Sequence, residues 1–308
     1  MHCATDVFYT CPDGDVPPMP SDTAIIEACN NAPKGFYQTR SIIFLSQELV
    51  VKHMLVTVEE CRNQIKAHKL LDPSVVVVPK VYRCFSHNEN IYLVMQRIHG
   101  EIRDKIEDLQ SVKRVADIIR HLQTHKSSIP GPLEGGTSRG LWWEEEPVDL
   151  KGEVARFEKY IQNRLVGKQQ GWTVELGEFV LNHNDIAPRN LVWMPDGRIS
   201  LIDWAHAGFY PWVLELAVLE FNTQERKDVG FTFPLIDEFE PLITGTPYEL
   251  KIRKPLDPRP RHPTECLCPP CLCTKSRSQP SKPVIPGMTA KELSERAWQD
   301  LKDKGLVV

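Results

Sequence analysis

The chain has 308 residues, of which 41% are hydrophobic and 25% charged, and its formal net charge is −4 at pH 7. This composition is ordinary for a globular protein large enough to form two lobes with a substantial core. There is no excess of positive charge to suggest a nucleic-acid partner, and no apolar run approaches the roughly 20 residues that a membrane span needs. The first twenty residues contain neither a basic region nor an apolar stretch, so we expect no secretory signal and a cytoplasmic protein with reduced thiols.

Strand patterns dominate the first hundred residues. Residues 1–20 are interrupted by proline and glycine and are expected to be poorly ordered. Apolar periodicity and capping residues then predict, in chain order, a helix over Ser21–Asn30, strands over Arg40–Phe44 and Glu48–Lys52, a helix over Thr57–Leu71, and strands over Val75–Val78 and Asn90–Met95. We therefore interpret residues 21–97 as a small, mostly β lobe.

Helical patterns dominate the next part of the chain. Val112, Val115, Ile119 and Leu122 share one face of a helix that starts near Ser111. Further helices are predicted over Val154–Leu165 and Val213–Leu219, with residues 127–150 forming a loop between helical blocks. The order predicts an α+β, two-lobed fold in which residues 98–250 form the larger helical lobe.

The carboxyl-terminal part has a different composition. Residues 255–286 contain nine of the 25 prolines and no glycine, so residues 251–287 are predicted to be a disordered insertion. This insertion contains Cys266, Cys268, Cys271 and Cys273. Three interpretations are open: a low-complexity feature, four thiolate ligands for Zn²⁺, or a palmitoylated or redox-sensitive loop. A capping box at Thr289 and Glu292 predicts a last helix over 288–308.

One stretch carries most of the chemical information. Residues 181–204 read LNHNDIAPRNLVWMPDGRISLIDW, in which two apolar runs flank the turn Pro195-Asp196-Gly197 and predict a β-hairpin. Asp185 and Asn190 precede the first strand and Asp203 follows the second. Because a hairpin brings its outer ends together, these three side chains should converge.

Two interpretations of this convergence are open. Asp and Asn commonly cap turns, so each residue alone is consistent with a purely structural role. Two carboxylates and an amide oxygen together suit Mg²⁺ and can orient a hydroxyl nucleophile. The joint spacing favours the second interpretation, a phosphoryl-transfer site.

The segment HNDIAPRNLVWMPDGRISLIDWAHAGFYP resembles the catalytic loop and metal-binding segment of the aminoglycoside phosphotransferase family, in its fungal form. The resemblance implies a two-lobed protein-kinase-like fold in which the small lobe of residues 21–97 binds the nucleotide. It also implies that Asp185 is the catalytic base and that Asn190 and Asp203 bind Mg²⁺. His183 would brace the loop. Trp204 stands where protein kinases have Phe-Gly, which favours a small-molecule substrate.

Weaker similarity extends upstream. ELVVKHM is similar to the strand that carries the phosphate-contacting lysine, here Lys52, and implies a partner glutamate, for which Glu60 fits slightly better than Glu59. Met95 would line the adenine pocket, and the backbone from Gln96 to Ile98 would bind the base. The sequence departs from the family before Lys52, where Gly35 is the single glycine and no G-x-G-x-x-G is present.

These features predict a kinase that transfers the γ-phosphate of ATP, or of GTP, to a hydroxyl of a small molecule with the help of Mg²⁺. The acidic run Glu144-Glu145-Glu146 is either a solvated surface or a rim that attracts a cationic acceptor. Two other functions remain open: a catalytically weak pseudokinase or scaffold, and a protein kinase. The protein kinase is disfavoured because no activation segment ending in Ala-Pro-Glu follows Asp203.

Overall fold

A five-stranded antiparallel sheet and two helices form the amino-terminal lobe of the computed structural model. The structure describes residues 5–32, 42–143, 147–166, 173–176, 178–226, 228–239 and 251–253. The elements of this lobe are β1 (Asp6–Thr10), α1 (Asp22–Asn30), β2 (Ile42–Phe44), β3 (Leu49–Lys52), α2 (Val58–Leu70), β4 (Val81–His87) and β5 (Asn90–Gln96). The strand order is β1-β4-β5-β3-β2, so that β3, which carries Lys52, lies beside β5.

Both helices of this lobe begin where their capping residues predict. The Ser21 hydroxyl accepts a hydrogen bond from the backbone N–H of Ala24 at 3.3 Å, and the Thr57 hydroxyl accepts one from Glu60 at 3.1 Å. Each cap satisfies a backbone donor that the helix itself leaves unpaired. The predicted helices and the predicted β2–β3 hairpin are confirmed.

The amino-terminal segment corrects one prediction. We expected poor order over residues 1–20, but Asp6–Thr10 form strand β1 at the edge of the sheet, and Cys11 is buried beyond it. The Cys11 backbone N–H donates to the Tyr82 carbonyl at 2.8 Å. This strand is stabilised by pairing with β4, more than seventy residues away, which the local composition does not reveal.

The second lobe contains four helices and several short strands in the described ranges. Its helices are α3 (Leu109–Gln123), α4 (Val154–Val166), α5 (Val213–Arg226) and α6 (Val229–Asp237). Its strands are β6 (Glu101–Ile102), β7 (Lys126–Ser127), β8 (Gly131–Pro132), β9 (Thr137–Ser138), β10 (Val148–Asp149), β11 (Thr173–Glu175), β12 (Phe179–Asn182), β13 (Leu191–Trp193), β14 (Ile199–Leu201), β15 (Gly208–Tyr210) and β16 (Lys251–Arg253). The three predicted helices of this lobe are confirmed. Helix α5 ends at Arg226, seven residues beyond its predicted end at Leu219.

Helix α3 lies at the centre of the larger core. Its predicted stripe of Val112, Val115, Ile119 and Leu122 is buried, as the helical period requires. The same core includes side chains of β12, β13 and β14 and the fully buried Trp204. The hairpin that carries the polar motif is therefore fixed to the main core of the second lobe.

Several predicted segments differ in the structure. The run Val75–Val78 is not a sheet strand: Val77 makes an isolated parallel bridge to Ser200, and Pro79 follows, which has no N–H to extend a ladder. The predicted loop 127–150 contains short strands of two residues, too short to show a periodic pattern. Residues 251–253 form β16, whereas the rest of the predicted insertion and the helix predicted over 288–308 lie outside the described residues.

None of the helices in the described ranges is both long enough and apolar enough to cross a bilayer.

Candidate active site

The hairpin of β13 and β14 brings the two ends of the polar motif together. Leu191 pairs with Leu201 and Trp193 with Ile199, and Gly197 closes the turn with φ of +87°, a conformation that glycine adopts without strain. At the open end, the Ile202 backbone N–H donates to the Asn190 carbonyl at 3.0 Å. The register therefore places Asn190 directly beside the residue that precedes Asp203.

Asp185 is held by two side chains of its own loop. The Asn190 side-chain N–H group donates to the Asp185 backbone carbonyl at 2.8 Å and to its carboxylate at 2.9 Å. The guanidinium of Arg189 pairs with the other carboxylate oxygen. We did not predict a role for Arg189. The sequence indicates this ion pair only by spacing: Arg189 follows Asp185 by four residues, and Pro188 begins a helical turn between them.

Lys52 joins the two lobes at the site. Its Nζ contacts Glu60 at 2.6 Å and Asp203 at 2.9 Å, although Lys52 and Asp203 are 151 residues apart. Burial opposes the charge on Lys52, but the two carboxylates outweigh it and raise the pKa of the ammonium group. The structure thus selects Glu60, and not Glu59, as the partner of Lys52.

Glu60 and Asp203 respond differently to this lysine. Burial raises the pKa of Glu60 to about 7, since its side chain is 1% exposed and Lys52 offsets only part of the desolvation. Burial also opposes the charge of Asp203, but Lys52 lowers its pKa overall. Because its pKa is lowered, Asp203 keeps an ionised carboxylate. Its side chain is 38% exposed and faces solvent.

Asp203 sits on a strained turn that neighbouring groups hold in place. Its φ of +67° lies in the left-handed region, which is unusual for a residue other than glycine. The indole N–H of Trp204 donates to the Leu201 carbonyl at 2.9 Å. Asn63 of α2 donates to the carbonyls of Trp204 and Ala207 at 3.1 and 2.9 Å. These hydrogen bonds hold the turn and thereby fix the orientation of the Asp203 carboxylate.

The segment that carries Asp185 is held in place by His183 and Glu215. His183 is fully buried, its Nε2–H donates to the Ile202 carbonyl at 3.1 Å, and burial lowers its pKa to about 4. The buried Glu215 carboxylate of α5 accepts the backbone N–H groups of His183 at 2.6 Å and Asn184 at 2.9 Å. We predicted a bracing position for His183 but assigned nothing to Glu215, which no local pattern distinguishes.

His206 shows that the charged groups share one volume. Burial lowers the pKa of this imidazole, and the charges that act on it are those of Asp185, Asp203, Lys52 and Arg189. The hairpin and the ion pairs therefore bring two carboxylates and two cations near enough to act on this ring. The predicted convergence of Asp185, Asn190 and Asp203 is observed.

The model of the phosphotransferase enzyme family, abbreviated APH, matches residues 43–231, more than half of the chain. The chain belongs to this family. The match confirms the resemblance to aminoglycoside phosphotransferases that the hairpin motif indicated, and with it the protein-kinase-like fold. No curated protein matches the chain.

Solved structures of similar fold are distant. Aminoglycoside phosphotransferase APH(4)-Ia is 14% identical, with 67% of this chain and 79% of that chain covered and a TM-score of 0.45. Choline kinase LicA from Streptococcus pneumoniae is 16% identical over 66% of this chain and 73% of that chain, with a TM-score of 0.36. An aminoglycoside phosphotransferase from Alicyclobacillus acidocaldarius is 14% identical over 74% and 78%, with a TM-score of 0.37.

The residues predicted to line a nucleobase pocket lie at the end of β5 and directly after it. Met95 is buried, and its sulfur accepts a hydrogen bond from the Gln64 side chain at 3.1 Å. The backbone N–H groups of Gln96 and Arg97 donate to Lys80 and Glu48 within the protein, both at 2.8 Å. Of the three residues predicted to bind the base, Ile98 therefore retains a backbone donor that no described residue uses.

The donor groups of the phosphotransferase site fit a magnesium ion. Both hydrogen bonds of the Asn190 side chain use its nitrogen, so the amide oxygen remains for a cation. Lys52 contacts Oδ1 of Asp203, which leaves Oδ2. In the described ranges no group of three or more His, Cys, Asp or Glu side chains could hold a metal by itself. One carboxylate and one amide suit Mg²⁺, which takes its other ligands from phosphates and water.

Proposed function

We propose that the protein transfers the γ-phosphate of ATP to a hydroxyl group of a small molecule. The observation that carries the proposal is Lys52, which contacts Glu60 at 2.6 Å and Asp203 at 2.9 Å beside the Asp185–Asn190 pair. A cation fixed between two carboxylates of different segments is a geometry for holding phosphate oxygens near a metal ion. Membership of the phosphotransferase family supports this proposal.

Each side chain has a defined task in this proposal. Lys52 binds the α- and β-phosphates, and Glu60 keeps its ammonium group in position. Asn190 and Asp203 hold Mg²⁺, which neutralises charge on the phosphates when it is bound. Asp185 orients the acceptor hydroxyl and accepts its proton. Arg189, paired with Asp185 and 39% exposed, can turn to the transferred phosphoryl group without breaking a buried contact.

The lining of the nucleotide cleft follows from the same placement. Met95 contacts the adenine, and the backbone N–H of Ile98 donates to it, because the N–H groups of Gln96 and Arg97 are already used. We place the activity in the cytoplasm, which is supported by free thiols at the four described positions Cys11, Cys29, Cys61 and Cys84.

The test is an ATP-consumption screen of the full chain against aminoglycosides, amino alcohols and sugars. Asp185→Asn removes the proton acceptor and keeps the shape of the side chain. We expect turnover to fall by about three orders of magnitude, within the range for loss of a general base. Binding of Mg·ATP, measured by thermal shift, should be nearly unchanged, because Asp185 is not one of the proposed metal ligands.

The matched control is Asp196→Asn in the turn of the same hairpin. Asp196 is exposed and pairs with Arg198, so its loss should leave turnover within a factor of two or so. Equal turnover of Asp185→Asn and the wild type would remove the catalytic assignment. Stabilisation by Mg·ATP without consumption of ATP would instead favour the pseudokinase, and phosphorylation of generic protein substrates would favour the protein kinase.

A further inference from the structure

A cavity of about 610 Å³ lies between α2, β1 and β4 in the amino-terminal lobe. Its volume is within the range of about 300–1,000 Å³ that is typical of small-molecule sites. Lys52, Asp185 and Asp203 are not among the described residues that line it. The cavity is therefore separate from the proposed phosphotransfer site.

Helix α2 presents two different faces. Val58, Cys61 and Ile65 line the cavity at spacings of three and four residues, which places them on one side of the helix. Glu60 and Asn63 lie on the opposite side, where they contact Lys52 and the backbone after Asp203. A ligand in the cavity would thus contact the side of α2 that faces away from the nucleotide cleft.

An irregularity in β1 supplies two aromatic side chains to the cavity. Val7 pairs with Phe85 and Tyr9 with Cys84, so Phe8 is an extra residue in the ladder. Neighbouring residues of a regular strand point to opposite faces, but the bulge allows both Phe8 and Tyr9 to line the cavity. Phe8 is 47% exposed, so part of its apolar surface remains available to a ligand.

The rim of the cavity carries an excess of positive charge. Arg62, Lys66 and Lys69 line it together with one acidic residue, Glu134. Lys66 pairs with Glu134 at 2.9 Å. Arg62 and Lys69 form no ion pair within 4.0 Å with any described residue, although Lys69, after Lys80, helps to lower the pKa of the Asp13 carboxyl group. The cations therefore outnumber the carboxylates at this rim.

We propose that this cavity binds a small amphipathic anion. A carboxylate, sulfonate or phosphate group contacts Arg62 and Lys69, and an apolar or aromatic body packs against Phe8, Tyr9 and Ile65. The positive charge of the rim favours an anion. A bare inorganic ion would bind weakly, because it makes no contact with the apolar side chains of the cavity.

The first test is fluorescence titration of the full chain with 8-anilinonaphthalene-1-sulfonate, an aromatic anion. N-phenyl-1-naphthylamine is the matched neutral probe, since it has the same rings without the sulfonate. We expect saturable binding of the anion that weakens as NaCl is raised, and binding of the neutral probe that is about tenfold weaker. Equal affinity for the two probes would overturn the proposal, because the cations would then play no part.

Substitutions of the rim cations test whether the probe binds in this cavity. Replacing both Arg62 and Lys69 by Gln should weaken binding of the anionic probe about tenfold, the equivalent of two exposed charge contacts. Replacing both Lys113 and Lys159 by Gln removes the same charge from exposed positions of α3 and α4 and should leave binding unchanged. Equal weakening by the two double variants would show an effect of overall charge and would overturn the proposal.

A second pair of variants tests the aromatic wall. Phe8→Ala should weaken binding several-fold, whereas Phe44→Ala, at the other edge of the sheet and 64% exposed, should not. Both positions are exposed, so neither substitution threatens folding. An unchanged affinity in Phe8→Ala would contradict the placement of the ligand body.

Competition distinguishes the sources of the anion. Displacement of the probe by decanoate indicates an aliphatic ligand and displacement by 2-naphthoate an aromatic one; either result supports the site. Displacement by neither would contradict it. Displacement by the non-hydrolysable nucleotide AMP-PNP with Mg²⁺ would place the probe in the nucleotide cleft and would also overturn the proposal.

Discussion

Glu60 is the residue whose charge keeps Lys52 in position, and this can be tested against its neighbour Glu59. Glu60→Gln retains an oxygen near the Lys52 ammonium group but removes the charge, so we expect kcat/KM for ATP to fall about tenfold to a hundredfold. Glu59 instead accepts a hydrogen bond from the Thr137 backbone at 3.3 Å, and Glu59→Gln can keep that bond. Steady-state kinetics that show equal losses in the two variants would contradict the assignment of Glu60.

The same carboxyl group predicts a pH dependence of activity. Burial raises the pKa of Glu60 to about 7, so the group becomes protonated and loses its ion pair as the pH falls below that value. We expect kcat/KM for ATP of the wild type to decline from about pH 7 to pH 5.5. Glu60→Gln, which has no such proton to bind, should have a flatter profile over this interval. Parallel profiles of the two proteins would show that another group controls the decline.

For single residues, the sequence predicts contacts between residues that are close in the chain and misses contacts between residues that are far apart in it. Asp185, Asn190 and Asp203 lie within nineteen residues and one hairpin, so turn chemistry alone indicates that they meet. The contact of Lys52 with Asp203 spans 151 residues and was not predicted, because no pattern around either residue indicates it. Asn63 and Glu215 satisfy buried backbone groups, a role that depends on tertiary packing and leaves no pattern around either residue.

The buried amide of Asn63 connects helix α2 to the second lobe. The Asn63 side chain donates to the carbonyls of Trp204 and Ala207 and accepts the Leu133 backbone N–H at 2.9 Å. Asn63→Ala would leave these backbone groups without a partner in the interior. We expect a loss of about 2–4 kcal/mol in the free energy of unfolding, measured with urea, because each unpaired buried group costs about 1–3 kcal/mol and partial hydration offsets some of it.

Asn90→Ala is the control for this substitution. Asn90 is exposed, and its side chain donates to the Asn88 carbonyl at 3.2 Å in a surface turn. We expect its loss to change the free energy of unfolding by no more than about 0.5 kcal/mol. A similar small change in Asn63→Ala would show that the amide does not hold α2 to the turn after Asp203.

Elements with strong local signals were predicted, whereas elements that depend on distant partners were not. Helices α1 and α2 have capping hydroxyls at Ser21 and Thr57, and α3 has an uninterrupted apolar stripe, so their existence follows from the sequence. Strand β1 has five residues between turn-forming segments and is defined by its ladder with β4. The run Val75–Val78 has strand composition, but the structure gives it one bridge to β14 and no place within the small-lobe sheet.

The two lobes meet around the segment that carries Asp185, and a carboxyl group buried in the large lobe holds the backbone of this segment. Glu215 is 1% exposed and accepts backbone N–H groups of the loop, while Lys52 and α2 approach from the small lobe. The loop therefore depends on a carboxyl group that has little contact with water. A buried ionisable group of this kind links the stability of the whole molecule to pH.

The sign of this linkage follows from the two states of Glu215. Burial raises its pKa in the folded protein from 4.5 to about 7, so between these pH values the folded state holds a proton that the unfolded state has released. This group therefore makes the protein more stable as the pH falls from 7 towards 4.5, and the gain is lost as the pH rises through 7. At about 1.4 kcal/mol per pKa unit, the total is about 3 kcal/mol.

Buried His183 acts in the opposite direction. Its pKa falls from 6.5 to about 4, so the unfolded state binds the proton first and stability declines as the pH falls between these values. The two effects offset each other in the wild type, and a comparison with Glu215→Gln separates them.

We expect the free energy of unfolding of the wild type, relative to Glu215→Gln, to increase by about 3 kcal/mol from pH 8 to pH 5. Glu107→Gln, which removes an exposed carboxylate, should show no such relative increase; a pH-independent difference between wild type and Glu215→Gln would mean that Glu215 does not gain a proton on folding.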